Sequence, residues 1–67
     1  MQLSARNQLK GRVTAIESDS IMSEVVINIG GIDICSTITT NSVERLGLCI
    51  GDEATAIIKA SEVIISK

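Results

Sequence analysis

The chain of 67 residues contains no histidine, proline, phenylalanine, tyrosine or tryptophan. Without histidine it lacks the side chain that most often performs acid–base catalysis, and two cysteines cannot supply the four ligands of a structural zinc site. Nucleic-acid-binding domains are expected to show a basic patch and stacking aromatic rings, whereas this chain has a net charge of −2 and no aromatics. These absences predict a protein that is not an enzyme, ligates no metal cation directly, uses no organic cofactor and binds no nucleic acid.

Aliphatic residues dominate what remains, since 45% of the chain is hydrophobic. No apolar run approaches the ~20 residues that a membrane helix needs, so we expect no membrane association and a cytoplasmic location. A chain this short buries only roughly 60% of its unfolded surface. Small domains therefore commonly depend on disulfides, a metal or oligomerisation. Cys35 and Cys49 show no secretory pattern and are predicted to be buried, inert thiols, which leaves a homo-oligomer.

Hydrophobic alternation predicts five strands. They cover residues 9–16, 23–29, 32–40, 53–59 and 63–65. Gly30 and Gly31 predict a two-residue hairpin, because the favoured turn needs positive φ at both positions. Gly11, inside the first strand, indicates a bulge, a sharp bend or a close approach of another backbone. The last strand is apolar on both faces, which predicts that another chain covers it.

A short helix is predicted over residues 41–46. Asn41 is placed to cap it, with Glu44 completing a capping box, and Gly47 is placed to end it in a left-handed conformation. Val43 and Leu46 would face the core. The fold is therefore predicted to be all-β, a small five-stranded OB-like barrel with one short helix between strands 3 and 4, forming a single domain over residues 1–67. A plain β-sandwich is the alternative fold.

Two polar clusters are poorly explained by packing. The first precedes the first strand and contains Ser4, Ala5, Arg6 and Asn7; the second interrupts the last two apolar runs and contains Lys59, Ala60 and Ser61. Our interpretation is that the clusters meet and hold a small oxyanion. Arg6 and Lys59 would supply charge-assisted hydrogen bonds, the serine hydroxyls would donate, and backbone amides would form an anion-binding nest. The alternative is a solvated arm and a loop lysine.

The polar loop after the first strand has two interpretations. It is either a plain hairpin loop, or a set of hydroxyls and amides that surrounds the axis of a symmetric oligomer and binds a second anion. The loop runs from Ser18 to Ser23 and includes Asp19, Ser20, Ile21 and Met22. The sequence alone leaves both interpretations open.

Several segments together resemble the molbindins, the Mop-type or TOBE-like molybdate-binding domains. The segments are SARNQLKGRV at 4–13, SVERLGL at 42–48, GDEA at 51–54 and IKASEV at 58–63. The resemblance covers essentially the whole chain. It implies an OB-like domain that assembles as a homo-hexamer, a trimer of dimers, and binds molybdate or tungstate at subunit interfaces in the cytoplasm. It also implies storage and homeostasis of the oxyanion rather than catalysis.

The resemblance also assigns residues. The interface site falls on Ser4, Ala5, Arg6 and Asn7 of one subunit and on Lys59, Ala60 and Ser61 of the facing subunit. A second class of site, near the three-fold axis, falls on Asp19, Ser20, Ile21, Met22 and Ser23, where Asp19 adds a negative charge that departs from the family pattern. Two alternatives to storage are a ligand-free oligomerisation module and a molybdate-responsive regulatory subunit.

Overall fold

The computed structural model describes residues 6–67, which form a small antiparallel sheet and one short helix. The elements are β1 (Asn7–Ser18), β2 (Met22–Ile29), β3 (Ile32–Thr39), α1 (Thr40–Leu46), β4 (Glu53–Ile58) and a 3₁₀ turn (Ala60–Glu62). The sheet has four strands in the order β3-β2-β1-β4. The helix lies between the third and fourth strands, as predicted. No helix within residues 6–67 is long and apolar enough to cross a membrane.

The predicted fifth strand, residues 63–65, pairs with none of the four strands. Ile64 is 92% exposed and Ile65 is 85% exposed. A segment that is apolar on both faces gains stability only when both faces are covered. A single chain of this size does not provide two covering layers, so the segment continues past the 3₁₀ turn without joining the sheet.

β1 contains a bulge that changes which side chains face the core. Val13 pairs with Ile27 and Ala15 pairs with Val26, so Thr14 is an extra residue on β1. A one-residue insertion reverses the facing of every side chain beyond it. Ile16, which strict alternation places on the polar face, packs instead against the core.

The hairpin between β2 and β3 forms as predicted. Gly30 and Gly31 have φ of 57° and 90°, the positive values that a tight two-residue turn requires. Ile29 and Ile32 pair across the turn, and the Asn28 side chain donates to Asp33 Oδ1 at 2.9 Å. The turn chemistry therefore sets the register of this half of the sheet.

Helix α1 is capped differently from the prediction at its start and as predicted at its end. The N-cap is Thr39, whose hydroxyl accepts from the Ser42 amide at 3.1 Å, so the predicted capping role of Asn41 is wrong. Thr39 is still extended at φ −70° and ψ 146°, the conformation that an N-cap residue needs. Gly47 ends the helix in the left-handed conformation at φ 64°.

The core of one chain is small. Its buried hydrophobic side chains are Val13, Val25, Ile27 and Val43. Many large hydrophobic side chains of the described residues are exposed instead: Leu9, Ile21, Met22, Ile32, Leu46, Ile50, Ile57, Val63, Ile64 and Ile65. The prediction that Leu46 faces the core is therefore wrong for the single chain.

The two thiols are also more accessible than predicted. Cys35 and Cys49 are both exposed, so the prediction of buried cysteines is wrong for the single chain. Cys35 lies on the edge strand β3, where the alternate residues Ile34 and Ser36 are the partly buried ones. Cys49 lies in the turn after α1, where its amide donates to the Asp52 carboxylate at 2.9 Å.

Gly11 is the place where a side chain is least tolerated. A Cβ atom there would clash with the Asn28 carbonyl oxygen and would lie 2.7 Å from Ile29 Cγ1, which confirms the predicted close approach. We expect Gly11→Ala to lower the free energy of unfolding by about 3 kcal/mol. This is a large part of the roughly 3–10 kcal/mol available to a domain of this length. Urea denaturation at fixed protein concentration measures the change.

Gly30→Asn is the matched control. Gly30 has φ of +57° and open space where a side chain would lie, and asparagine adopts this conformation more readily than other residues. Its free energy of unfolding should stay within about 1 kcal/mol of the wild type. Equal stability of Gly11→Ala and the wild type would contradict the close approach at Gly11.

Candidate functional site

The β1–β4 ladder brings the two polar clusters side by side within one chain. Asn7 and Ile58 are direct cross-strand partners, and Asn7 Nδ2 donates to the Ile58 carbonyl oxygen at 3.2 Å. Arg6 directly precedes this pair on one strand, and Lys59 directly follows it on the other. The two cationic residues are therefore neighbours at the end of the ladder. Ser4 and Ala5 of the predicted site lie outside the described residues.

The second cluster is a tight turn rather than an interruption between two strands. β4 ends at Ile58, and the Glu62 amide donates to the Lys59 carbonyl oxygen at 2.9 Å. The Val63 amide donates to the Ala60 carbonyl oxygen at 3.3 Å. Lys59, Ala60 and Ser61 are all exposed. The turn explains why polar residues separate the two apolar runs, and it leaves their side chains accessible to a ligand.

Two cationic side chains near the end of the ladder, Lys10 and Arg12, already have partners within the chain. Lys10 forms an ion pair with Glu53 at 3.3 Å, and the Arg12 guanidinium donates to the Gly51 carbonyl oxygen at 2.6 Å. Within residues 6–67, neither Arg6 nor Lys59 has a carboxylate within ion-pair distance. The end of the β1–β4 ladder is therefore a local concentration of positive charge without an internal counter-ion in the described part of the chain.

The loop between β1 and β2, the predicted second site, is organised by Asp19. Asp19 Oδ1 accepts hydrogen bonds from the Ile21 and Met22 amides, each at 2.8 Å. The bonds from Met22 and Ile21 stabilise the charged carboxylate and lower the pKa of Asp19 below its usual value. Two backbone donors of the loop are thus already directed at an anion that belongs to the chain.

The hydroxyls around this loop are used internally. Ser23 is only 1% exposed, and its Oγ lies 2.6 Å from Ser18 Oγ and 2.8 Å from Thr40 Oγ1. Thr40 Oγ1 donates to the Asp19 carbonyl oxygen at 2.9 Å. Ser20, Ile21 and Met22 remain exposed. Thr40 was not predicted from the sequence to belong to this loop, although the inward position of Ser23 follows from its alternation with Val25.

A model of the TOBE domain matches residues 3–65. The chain belongs to the TOBE domain family. This TOBE domain is 50% identical over 66 residues to molybdenum-pterin-binding protein 1 of Clostridium pasteurianum, a match that covers 97% of each chain. The resemblance to the Mop-type proteins that the sequence indicated is therefore confirmed.

Solved structures show the same fold. A molybdate-binding protein from Sporomusa ovata matches this TOBE domain with a TM-score of 0.96 and 36% identity, covering all of both chains. ModG, a cytoplasmic molybdate-binding protein solved with molybdate bound, matches with a TM-score of 0.91 and 46% identity over 96% of this chain and 46% of its own. These relatives and neighbours are named for binding molybdenum or molybdate rather than for catalysis.

Proposed function

We propose that this TOBE domain, residues 1–67, binds molybdate or tungstate at the end of the β1–β4 ladder and stores or buffers the oxyanion in the cytoplasm without catalysis. The observation that carries the proposal is the pairing of Asn7 with Ile58. That pairing makes Arg6 and Lys59 neighbours, in a chain whose relatives include a protein solved with molybdate bound. Two cations without counter-ions among residues 6–67 suit a tetrahedral dianion.

Each residue of the proposed site has a chemical role. Arg6 and Lys59 supply charge-assisted hydrogen bonds, and the hydroxyls of Ser4 and Ser61 supply directional donors. The amides of Ala5 and Ala60 add backbone donors. An asparagine side chain carries two N–H groups. One N–H of Asn7 holds the Ile58 carbonyl oxygen, which leaves the other free to reach the ligand.

The recognition we propose acts at short range. Each chain carries a net charge of −2, so an assembly of several chains repels an anion at a distance. Exposed charges farther apart than the Debye length of roughly 8–10 Å are largely screened at physiological salt. Affinity must therefore come from direct contacts with Arg6, Lys59 and the surrounding donors.

A bare oxyanion suits this chain better than a pterin-bound form of molybdenum. The relatives carry the words molybdenum-pterin-binding in their names. A pterin ring is planar and would be expected to stack on aromatic side chains, whereas this chain has none. The donors at the end of the ladder are cations, hydroxyls and amides, which match the oxygens of a small anion.

The proposed assembly is a homo-hexamer, a trimer of dimers, in which each domain completes a five-stranded OB-like barrel. Its support is the unpartnered apolar surface of the single chain. A groove of about 400 Å³ opens between the edge strands β3 and β4. It is lined mainly by apolar side chains, among them Ile34, Ile38 and Ile58. The apolar segment 63–65 is exposed as well. Exposed apolar surface on this scale marks sites of protein association.

Assembly and ligand binding are linked in this proposal. The clusters Arg6–Asn7 and Lys59–Ser61 are neighbours on the exposed end of one chain, and our proposal places a facing copy against this end so that the anion is enclosed between two subunits. A ligand that binds only the assembled form stabilises that form. Molybdate should therefore favour the hexamer over smaller species.

Native mass spectrometry of the purified protein tests the proposal, with molybdate and separately with excess sulfate. We expect a hexamer that gains discrete molybdate masses and does not gain sulfate. A hexamer that gains no anion would contradict oxyanion binding and leave a ligand-free interaction module. A monomer would contradict the assembly. A pull-down of a partner protein that depends on molybdate would replace storage with the regulatory role.

A further inference from the structure

The outer face of the sheet, opposite the core side chains of Val25 and Ile27, arranges its residues in three rows that cross β1, β2 and β3. The first row is polar, the middle row is small and apolar, and the third row is acidic. In strand order the rows are Arg12, Asn28 and Asp33; then Ala15, Val26 and Cys35; then Glu17, Glu24 and Thr37. Adjacent rows lie roughly 7 Å apart, which is two residues along a strand.

The acidic row is unfavourable in a single chain. Glu17 and Glu24 are direct cross-strand partners, and both are exposed. Like charges in directly opposite positions destabilise a sheet. Within residues 6–67, neither carboxylate has a cationic side chain within ion-pair distance. A hydrogen-bond donor or a cation from another molecule would therefore stabilise this pair.

The first row offers the donors that the acidic row lacks. The Arg12 guanidinium donates to the Gly51 carbonyl oxygen, which uses one of its five N–H groups. Asn28 Nδ2 donates to Asp33 Oδ1 at 2.9 Å, which uses one of its two. A depression of about 410 Å³ lies beside Arg12 and Asn28 on this face. The depression gives an approaching side chain access to the remaining donors.

The carboxylates near Arg12 already have partners. Glu53, which faces Arg12 across the β1–β4 ladder, is paired with Lys10 at 3.3 Å. Asp33 accepts the hydrogen bond from Asn28. Arg12 is therefore the cation of this face that remains available to a carboxylate from another molecule.

We propose that the outer face binds a second copy of this chain across a two-fold axis that runs along the middle row. Such an axis places each residue of the first row opposite a residue of the third row in the other copy. The facing pairs are Arg12 with Glu17, Asn28 with Glu24, and Asp33 with Thr37. Each pair joins a carboxylate to a hydrogen-bond donor, so the face is complementary to itself, as a two-fold contact between identical chains requires. The small side chains of the middle row let the two sheets approach.

The inference rests on the homo-oligomer proposed above and not on the oxyanion site. A trimer of dimers contains a two-fold contact, and this face supplies one. Because the axis repeats every facing pair, the contact contains the Arg12–Glu17 pair twice.

Glu17→Lys separates this contact from a solvated face, because its two effects have opposite signs. It turns the like-charged pair with Glu24 into an opposite-charged one, so the single chain should become slightly more stable to urea. Copies should nevertheless associate about 30-fold more weakly, since two pairs with Arg12 are reversed. Glu44→Lys makes the same change of charge on α1 and should associate like the wild type. Sedimentation velocity measures association.

Exchanging the two charges tests the pair directly. Arg12→Glu combined with Glu17→Lys should recover most of the association that Glu17→Lys loses, whereas a general charge effect would not be recovered. Circular dichroism confirms that each variant is folded.

Cys35 gives a second measurement, because the axis brings it next to Cys35 of the other copy. In Cys49→Ser, a short bis-maleimide should join two chains through Cys35, and adding Glu17→Lys should abolish the cross-link. Equal association of Glu17→Lys and Glu44→Lys would overturn the inference, as would an oligomer that is not joined through Cys35. Either result would leave the face to solvent or to a different partner. A protein that binds no molybdate but is still joined through Cys35 would contradict the oxyanion site and support this contact.

Discussion

Replacing Arg6 by alanine should weaken molybdate binding by about 100-fold, since two charge-assisted hydrogen bonds contribute about 1.5 kcal/mol or more each. Arg6 is exposed and directly precedes β1, so its side chain contributes nothing to the core. The fold should therefore remain intact, and the change should appear in the dissociation constant alone. Isothermal titration calorimetry measures that constant, and thermal unfolding without ligand checks the fold.

Lys10→Ala is the matched control for Arg6→Ala. It removes one positive charge four positions along the chain, but the Lys10 ammonium is already paired with Glu53 at 3.3 Å. Its molybdate affinity should change by less than about threefold, as expected for an exposed and screened charge. Full affinity in Arg6→Ala would remove Arg6 from the site. Equal losses in both variants would indicate a general charge effect instead of direct contact.

Ile64→Asp should dissociate the proposed hexamer. Ile64 is 92% exposed in the single chain, and our proposal buries it against another copy. Full burial of an isoleucine side chain contributes about 1.5–3 kcal/mol, and an unpaired carboxylate in the same place adds a large desolvation penalty. Because every subunit carries the change, its effect is repeated at each contact. Sedimentation velocity should show smaller species at concentrations where we expect the wild type to be a hexamer.

Ser66→Asp places the same new charge directly after the segment 63–65 without removing an apolar side chain. We expect it to sediment like the wild type. If Ile64→Asp also remains hexameric, the segment 63–65 is not part of the subunit contact. If both variants dissociate, added charge rather than lost apolar contact explains the result.

Local chemistry predicted most of the fold. Period-two alternation located four strands to within a few residues, and Gly30, Gly31 and Gly47 fixed two chain reversals because each requires positive φ. The facing of Ile16 was missed, since a bulge without a glycine at its centre leaves little trace in the alternation. The N-cap was missed because Thr39 and Asn41 are both residues that cap helices well. β3 ends at Thr39 and the helix begins at Thr40, so the extended residue that can act as the cap is Thr39.

The candidate site was predictable only in part. The two clusters stood out because polar residues flank apolar runs, but their adjacency depends on β4 pairing with β1, which no local pattern encodes. The internal anion at Asp19 was also hidden, because an Asp followed by polar residues is typical of any turn. The exposure of Cys35, Cys49 and residues 63–65 in the single chain was also missed, because hydropathy indicates that a side chain is apolar but does not say which surface covers it.

The β1–β4 ladder has a further consequence for the order in which the domain forms. Asn7 and the Ile58 carbonyl oxygen are separated by 51 positions along the chain, whereas Ile29 and Ile32 pair across a two-residue turn. Closing a long loop loses more chain entropy than closing a short one, so the β1–β4 pairing is the least favourable pairing to begin. An oxyanion held by Arg6 and Lys59 would act as a reversible cross-link across that loop, fastening together the two ends of the chain.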